Sequence, residues 1–343
     1  MKFGIVGYGS YIPKMRIKTE DIALANGQNP SKIKSGIMVN EKSFASKDED
    51  AITMGVEATL NALLRAKIDK YKIGAIYFGS ESHPYAVKPS ATVVGNAIGL
   101  DDFYTAADLE FACKSGTAAI VVSAGLVKSK MVEYAIAIGA DKAKASKGDI
   151  LEYSASAGGA SFILGSPENE IVATIDKIVS LSSNTPDFWR RSLEKYPQHL
   201  GRFTGEPSYF AHISKVVEKI LDEEDMKPSD FDYVVFHQPN GAFPRSIGKR
   251  LGFSSKQVEV GIFADNIGNC YSTSTLLGLT LVLDCAEPFQ KILVVSYGSG
   301  SGCDAMILTT TEVLSLKQKL AKTTKEYIQS KSYINYFDSL NNI

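Results

Sequence analysis

Four residues in this chain combine a reactive side chain with a telling position. Cys113 stands in F-A-C-K-S-G, between an apolar run over 103–109 that reads as a buried strand and a stretch with Ala118, Val121, Val122, Gly125 and Leu126 at helical spacing. That spacing predicts that Cys113 opens a buried helix. Unpaired N–H groups and partial positive charge at a helix start favour a thiolate, so a lowered pKa and a nucleophilic role are expected there. Cysteine is also a common small core residue, so the nucleophilic reading needs partners elsewhere in the chain. Three such partners are present. His237 lies in H-Q-P-N directly after the apolar run 233–236, and Asn269 lies in N-I-G-N just before the apolar stretch 271–286. Glu81 lies in G-S-E-S-H directly after the apolar run 73–78. An acid following a buried strand of an α/β sheet sits at the edge where ligands bind. Each of the three also has an ordinary reading: a satisfied core histidine, a helix cap, a solvated loop acid. His83 reads as a polar loop residue.

The elements that must position these groups alternate between strand and helix. Strands are expected at 3–6, 73–78, 103–109, 134–139, 160–165, 171–182, 233–236, 291–296 and 305–310. Helices are expected at 48–67, capped by Asp48 and burying Ile52, Val56, Leu60, Leu63 and Leu64, and at 89–100, 113–127, 209–224, 241–251 and 271–286. Gly7 and Gly9 suggest a dinucleotide fingerprint, but its third glycine is missing and Pro13 follows, so a turn is expected. Residues 14–49 are polar, lysine-rich and aperiodic, and read as a solvated loop or a flap. The tail from Glu312 reads as polar, partly helical and frayed. In each half a buried helix is followed by a strand, a Gly/Ser-rich turn and a closing strand. This pattern predicts a duplicated, layered α/β architecture divided into 1–167 and 168–343.

Bulk properties narrow the classes. With 343 residues, 44% hydrophobic and a net charge of −1, the chain has an ordinary globular composition and no electrostatic case for nucleic acid or an anionic membrane surface. No apolar run reaches membrane-spanning length and no export signal is seen. The four cysteines, Cys113, Cys270, Cys285 and Cys303, form no C-x-x-C pair, so free thiols in a reducing, cytoplasmic setting are expected and a metal site is not.

F-A-C-K-S-G, H-Q-P-N and N-I-G-N, in this order, resemble the thiolase superfamily, in which Cys, His and Asn converge where two duplicated halves meet. Within it, Glu81 with H-Q-P-N resembles the hydroxymethylglutaryl-CoA synthases. The segments L-E-Y-S-A-S-A-G-G-A and H-L-G-R-F-T resemble the archaeal type. The resemblance covers the chain up to about residue 310. It implies an αβαβα thiolase-like fold and condensation of acetyl-CoA with acetoacetyl-CoA in the mevalonate pathway of isoprenoid biosynthesis. It also implies roles: Cys113 carries the acetyl group, Glu81 removes a methyl proton, His237 protonates the new alkoxide, and Asn269 holds the acetoacetyl oxygen. Backbone N–H groups of Cys113 and Ser299 are implied as oxyanion donors. Ser154, Thr204 and Ser299 are implied acyl contacts, and Arg202 and Arg245 phosphate contacts. The family pattern has lysine two residues after H-Q-P-N, where this chain has Ala242; Arg245, Lys249 and Arg250 are the basic residues nearby. No cofactor is implied beyond coenzyme A thioesters as substrates. A homodimer is implied, together with an assembly with an acetoacetyl-CoA thiolase and a zinc-bearing OB-fold scaffold protein. Two alternatives differ in class: a ketoacyl synthase of the initiating type, which lacks an acid at Glu81 and often has alanine at Pro239, and a non-catalytic acyl-CoA-channelling subunit.

Overall fold

The computed structural model describes residues 2–340, with the side chain of Arg202 outside the described part. Nine strands form one continuous sheet: β1 (Gly4–Tyr11), β2 (Ile73–Gly79), β3 (Thr105–Leu109), β4 (Tyr134–Lys142), β5 (Ala157–Gly165), β6 (Ala173–Ser182), β7 (Tyr233–Phe236), β8 (Lys291–Val295) and β9 (Gly302–Thr310). Their spatial order is β7-β8-β9-β6-β1-β5-β4-β2-β3. The sheet is nearly palindromic about the antiparallel contact of β1 with β6, where Gly4 faces Thr174 and Ile5 faces Ala173. Outward on either side come two antiparallel neighbours and then a parallel one, β2 beside β4 and β7 beside β8. Only β3, at one edge, lacks a counterpart among the described strands.

Six longer helices cover and fill this sheet: α1 (Ala51–Ala66), α2 (Ser90–Ala97), α3 (Ser115–Lys128), α4 (Ala211–Glu224), α5 (Ala242–Arg250) and α6 (Ser274–Leu283). Strand pleating sorts the side chains into three apolar layers. Ile136 and Ile138 of β4 face α1, whereas Ala135 and Ala137 face the central layer. In that central layer Ile120 and Ala124 of α3 meet Leu276 and Leu279 of α6. On the far side Val234 and Phe236 of β7 pack with Ile213 and Val217 of α4. The result is a helix–sheet–helix–sheet–helix stack with α3 and α6 buried at its centre. Burial of α6 on nearly every side accounts for its continuous apolar sequence, whereas α3 keeps one face toward the surface.

Several expectations need correction. Gly7 and Gly9 lie inside β1, not in a turn. A Cβ at either would sit within 2.5 Å of a backbone oxygen of α1, so these glycines allow a close helix–strand approach. The same approach selects the buried face of α1, which is Met54, Gly55, Ala58, Ala62 and Ala66, while Leu60 and Leu64 are 41% and 57% exposed. The cap of α1 is Asp50, whose side chain accepts from Thr53 N, rather than Asp48. The buried face of α3 likewise runs through Ala119, Ile120, Ser123, Ala124 and Val127 instead of the expected stripe of Ala118, Val121, Val122, Gly125 and Leu126. Residues 14–49 are folded: Met15–Lys18 and Glu41–Phe44 pair as strands flanking helices Thr19–Ala25 and Pro30–Ile37. The tail completes that unit. Ser332–Tyr333 adds a parallel strand to Met15–Lys18, and Tyr336 Oη donates to Glu152. Local periodicity carried no sign of this subdomain because its partners are some 290 residues apart (Lys331 to Glu41).

Candidate active site

The site forms where β2, the entry to α3, the entry to α6 and the 298–302 turn meet. A Cβ on Gly79 at the end of β2 would fall 2.3 Å from the backbone of Ser115. The start of α3 therefore rests on the end of β2, which brings Glu81 and Cys113 together. Ala112, just before the cysteine, adopts a left-handed φ of 44°. A non-glycine residue is rarely found there, and such strain clusters at functional positions.

Cys113 is 4% exposed and sits with Ala155 and Tyr271. The Glu81 carboxyl and the backbone N–H of Ser299 are both close enough to act on its thiol. The expected lowering of the thiol pKa is not what the environment produces. Burial, and then the Glu81 carboxylate beside it, push the pKa well above the ordinary range. At rest Cys113 is a protonated thiol. Glu81 is shifted in the same sense, to about 8, by burial first and then by Asp141. Its Oε1 is sealed from solvent with no hydrogen-bond partner. A carboxyl group in this state changes hands with a proton near neutral pH, as a general base requires.

Asp141, at the end of β4, was not singled out from the sequence. It is 1% exposed and organises the whole Glu81 loop. Its Oδ1 accepts from Ser80 Oγ (2.7 Å), Glu81 N (2.8 Å) and Ser82 Oγ (2.6 Å), while Oδ2 accepts from Ser272 N (2.8 Å) at the entry to α6. The signal that found Glu81, an acid at the end of a buried strand, is equally present in G-A-D-K.

His237 follows β7 and is 1% exposed. Its N–H donates to Val295 O, and its own carbonyl accepts from Tyr209 Oη at 2.7 Å. Burial alone lowers its pKa to about 3, so the imidazole is neutral, and Nδ1 has no partner. Its ring centroid lies 6.2 Å from that of Tyr297, whose hydroxyl donates to Asp187 Oδ2 at 2.9 Å. Asn269 does cap the turn that follows it: Oδ1 accepts from Tyr271 N and Ser274 Oγ, both at 2.8 Å. Because Oδ1 is fully engaged, the amide NH2 is the end left to donate elsewhere.

The remaining expected residues divide. Ser299 lines a cleft of about 650 Å3 with Glu81, Ala112, Tyr271 and Phe188. Ser154 is buried beside the site, and its carbonyl accepts from Asn269 N at 2.7 Å. Thr204 Oγ1 donates to Gly201 O within its own turn. Arg245 has no free donor. Its N–H groups go to Gly241 O, to both oxygens of Glu259 and to both oxygens of Asp265, all between 2.7 and 2.8 Å. A guanidinium has five N–H groups, so this arginine is committed to joining α5 to the segments after it rather than to a phosphate. Arg202 lies outside the described side chains.

A nine-stranded sheet around a central helix pair, with Cys113 and Asn269 at the entries to those helices and Glu81 and His237 after two strands, is the layout of a thiolase-like condensing enzyme. A solved structure titled as HMG-CoA synthase complexed with CoA superimposes with a TM-score of 0.90 over 100% of this chain and 90% of that one, at 22% identity. 3-Oxoacyl-(acyl carrier protein) synthase III from Pseudomonas aeruginosa PAO1 superimposes with a TM-score of 0.83 over 91% and 99%, at 17% identity. Residues 221–310 match the family model "3-Oxoacyl-[acyl-carrier-protein (ACP)] synthase III C terminal". Sequence likeness is far more specific. The hydroxymethylglutaryl-CoA synthase of Methanopyrus kandleri is 53% identical over 98% of this chain and 95% of its own length. That of Thermoplasma acidophilum is 50% identical over 97% and 95%. The chain belongs to the hydroxymethylglutaryl-CoA synthase family.

Proposed function

We propose that this chain condenses acetyl-CoA with acetoacetyl-CoA and water to give 3-hydroxy-3-methylglutaryl-CoA and CoA, through an acetyl-cysteine at Cys113. The observation that carries the reading is the placement of the Cys113 thiol beside the Glu81 carboxyl, whose pKa of about 8 lets it take up and release a proton near neutral pH. Cys113 attacks the acetyl carbonyl as its proton passes to Glu81 and on to the departing CoA sulfur. The Ser299 N–H stabilises the oxyanion. Glu81, ionised again, takes a proton from the acetyl methyl group, and the carbanion adds to the ketone of acetoacetyl-CoA. His237 is neutral, so it offers the alkoxide an N–H hydrogen bond. The alkoxide takes its proton at His237, and the proton that Glu81 removed keeps the step balanced. Asn269 donates its amide N–H to the acetoacetyl thioester. Water then cleaves the enzyme thioester and frees the thiol.

In this reading Ser154, Thr204 and Ser299 surround the acyl chain, and Arg202 and Lys249 meet the CoA phosphates in place of Arg245. The chain divides at 167/168, with Glu81 and Cys113 from one half and His237 and Asn269 from the other. The outer edge of β3, with Phe103 and Val87 nearby at 92% and 93% exposure, supports a homodimer contact. Supply of acetoacetyl-CoA by a bound thiolase and a zinc-bearing OB-fold protein, in the cytoplasm, completes the proposal. Among the described residues no helix is long and apolar enough to cross a membrane. Product analysis of the purified chain with both thioesters tests the reaction. Release of 3-hydroxy-3-methylglutaryl-CoA is expected. A 3-ketoacyl product made instead from a malonyl donor would assign the chain to the initiating ketoacyl synthases.

A further inference from the structure

Lys114, the residue after the cysteine, reaches across the molecule to Asp304 in β9. Its Nζ lies 3.0 Å from both Oδ1 and Oδ2, with the two side chains 6% and 1% exposed. Asp304 also accepts from Ser180 Oγ at 2.7 Å and Thr117 Oγ1 at 2.8 Å, so its carboxylate is matched on every side. The ammonium also sits 3.9 Å from the centre of the Phe111 ring. Neither residue lines the cleft.

Two contacts connect this pair to the reacting sulfur. A Cβ on Gly298 would lie 2.7 Å from Phe111 O and 3.0 Å from Lys114 Cγ, so the 298–302 turn rests on the lysine stem. Ser296 Oγ, leading into that turn, lies 2.8 Å from Thr117 Oγ1 and accepts from Asp304 N at 3.1 Å. The 111–117 segment and the 296–304 hairpin are thus bolted together on both sides of Cys113 and Ser299. We infer that Lys114 and Asp304 are a positioning pair that sets the distance between the Cys113 sulfur and the Ser299 N–H, and with it the rate of each thioester step. A charge sealed in a dry interior demands its partner, so the pair permits one relative placement of the two segments.

This inference rests on Cys113 as the nucleophile, and the test separates the two. The rate of acetyl transfer from acetyl-CoA to the protein is followed by quenched intact mass, alongside melting temperature. Wild type, Lys114→Met, Asp304→Asn and the neutral double variant Lys114→Met/Asp304→Leu are compared. Both single variants are expected to acetylate about 10–100-fold more slowly, because small displacements of a reacting group or an oxyanion donor have effects of this size. Half-saturation by acetyl-CoA should stay within about threefold, since the pair does not line the cleft. The double variant should regain the melting temperature, as neutral replacements of buried ion pairs do, yet remain slow. A folded single variant with the wild-type rate overturns the inference, and so does a double variant that recovers rate together with stability. If these variants do not fold, Ser180→Ala, at an exposed strand position, removes one hydrogen bond from Asp304. A drop of about threefold then supports the inference and an unchanged rate overturns it. A wild type that takes up no acetyl group contradicts the role of Cys113 itself.

Discussion

The two ends of the sheet reach the site at matching places and arrive with opposite chemistry. β2 and β7 occupy equivalent positions about the β1–β6 contact, and each is followed by a titratable residue, the half-buried Glu81 or the buried His237. The entries to α3 and α6 are equally matched: Ala112 and Tyr271 both take left-handed φ values, 44° and 51°, beside Cys113 and Asn269. Burial acts on both titratable groups by disfavouring charge. It raises the carboxyl to about 8 and lowers the imidazole to about 3. The carboxyl thereby becomes a group that exchanges protons near neutrality. The histidine becomes a fixed neutral dipole. What distinguishes the two ends is the second layer. Asp141 sets another negative charge beside Glu81 and holds the 80–82 loop with three hydrogen bonds, whereas His237 has Tyr297 beside it and an unpartnered Nδ1. A duplicated scaffold has thus been specialised by its neighbours as well as by the residue at the strand end.

The comparison is broken most severely by removing the proton-exchanging end. Glu81→Gln should lower condensation by about 10²–10⁴-fold, measured as product formed from acetylated enzyme and acetoacetyl-CoA. Full activity would return the chain to the ketoacyl synthase alternative. His237→Asn should cost condensation about 10²–10³-fold while acetylation of Cys113 proceeds at near the wild-type rate. Equal loss in both steps would mean that the histidine serves the nucleophile instead. The pH dependence of the condensation step sharpens the contrast. Only the ionised Glu81 accepts a proton, so the rate should rise with pH to a plateau above about 8. A rate independent of pH between 6 and 9 would contradict this assignment.

Stability should respond to the other end. The folded His237 stays neutral down to about pH 3, whereas in the unfolded chain it takes up a proton near its ordinary value of 6.5. Its contribution is fully present above about 6.5 and is lost progressively as pH falls toward 3, by up to ~5 kcal/mol. His237→Asn should flatten that part of the acid limb in urea titrations at several pH values. The smallest effect belongs to Arg245. Its carboxylate partners hold the helix junction at a partly exposed site, so Arg245→Ala should cost about 1 kcal/mol of stability. The KM for either thioester should remain within twofold, in contrast to a phosphate ligand.

The candidate residues of the site were legible because each carries a local mark: a small-residue motif where an apolar run stops or starts. The strand alternation was legible for the same reason, and the observed strands fall on the expected runs with shifts of a few residues at their ends. What was hidden is what depends on approach distance or on remote partners. The leucines of α1 suggested a buried stripe, yet contact with Gly7 and Gly9 places alanines there. Arg245 looked free because Glu259 and Asp265 lie 14 and 20 residues away. Lys114 and Asp304 are separated by 190 residues, and neither has a mark of its own. The thiol pKa was misjudged because the helix-start argument counts the N–H groups but not the burial and the carboxylate set against the sulfur.

The central claim is that Cys113 carries the acetyl group. Intact mass after brief incubation with acetyl-CoA tests it directly, using wild type and Cys113→Ser. One acetyl adduct on wild type and none on the variant is the predicted result, and added acetoacetyl-CoA should then discharge the adduct. An adduct that survives Cys113→Ser, or a folded wild type that takes up none, would contradict the account.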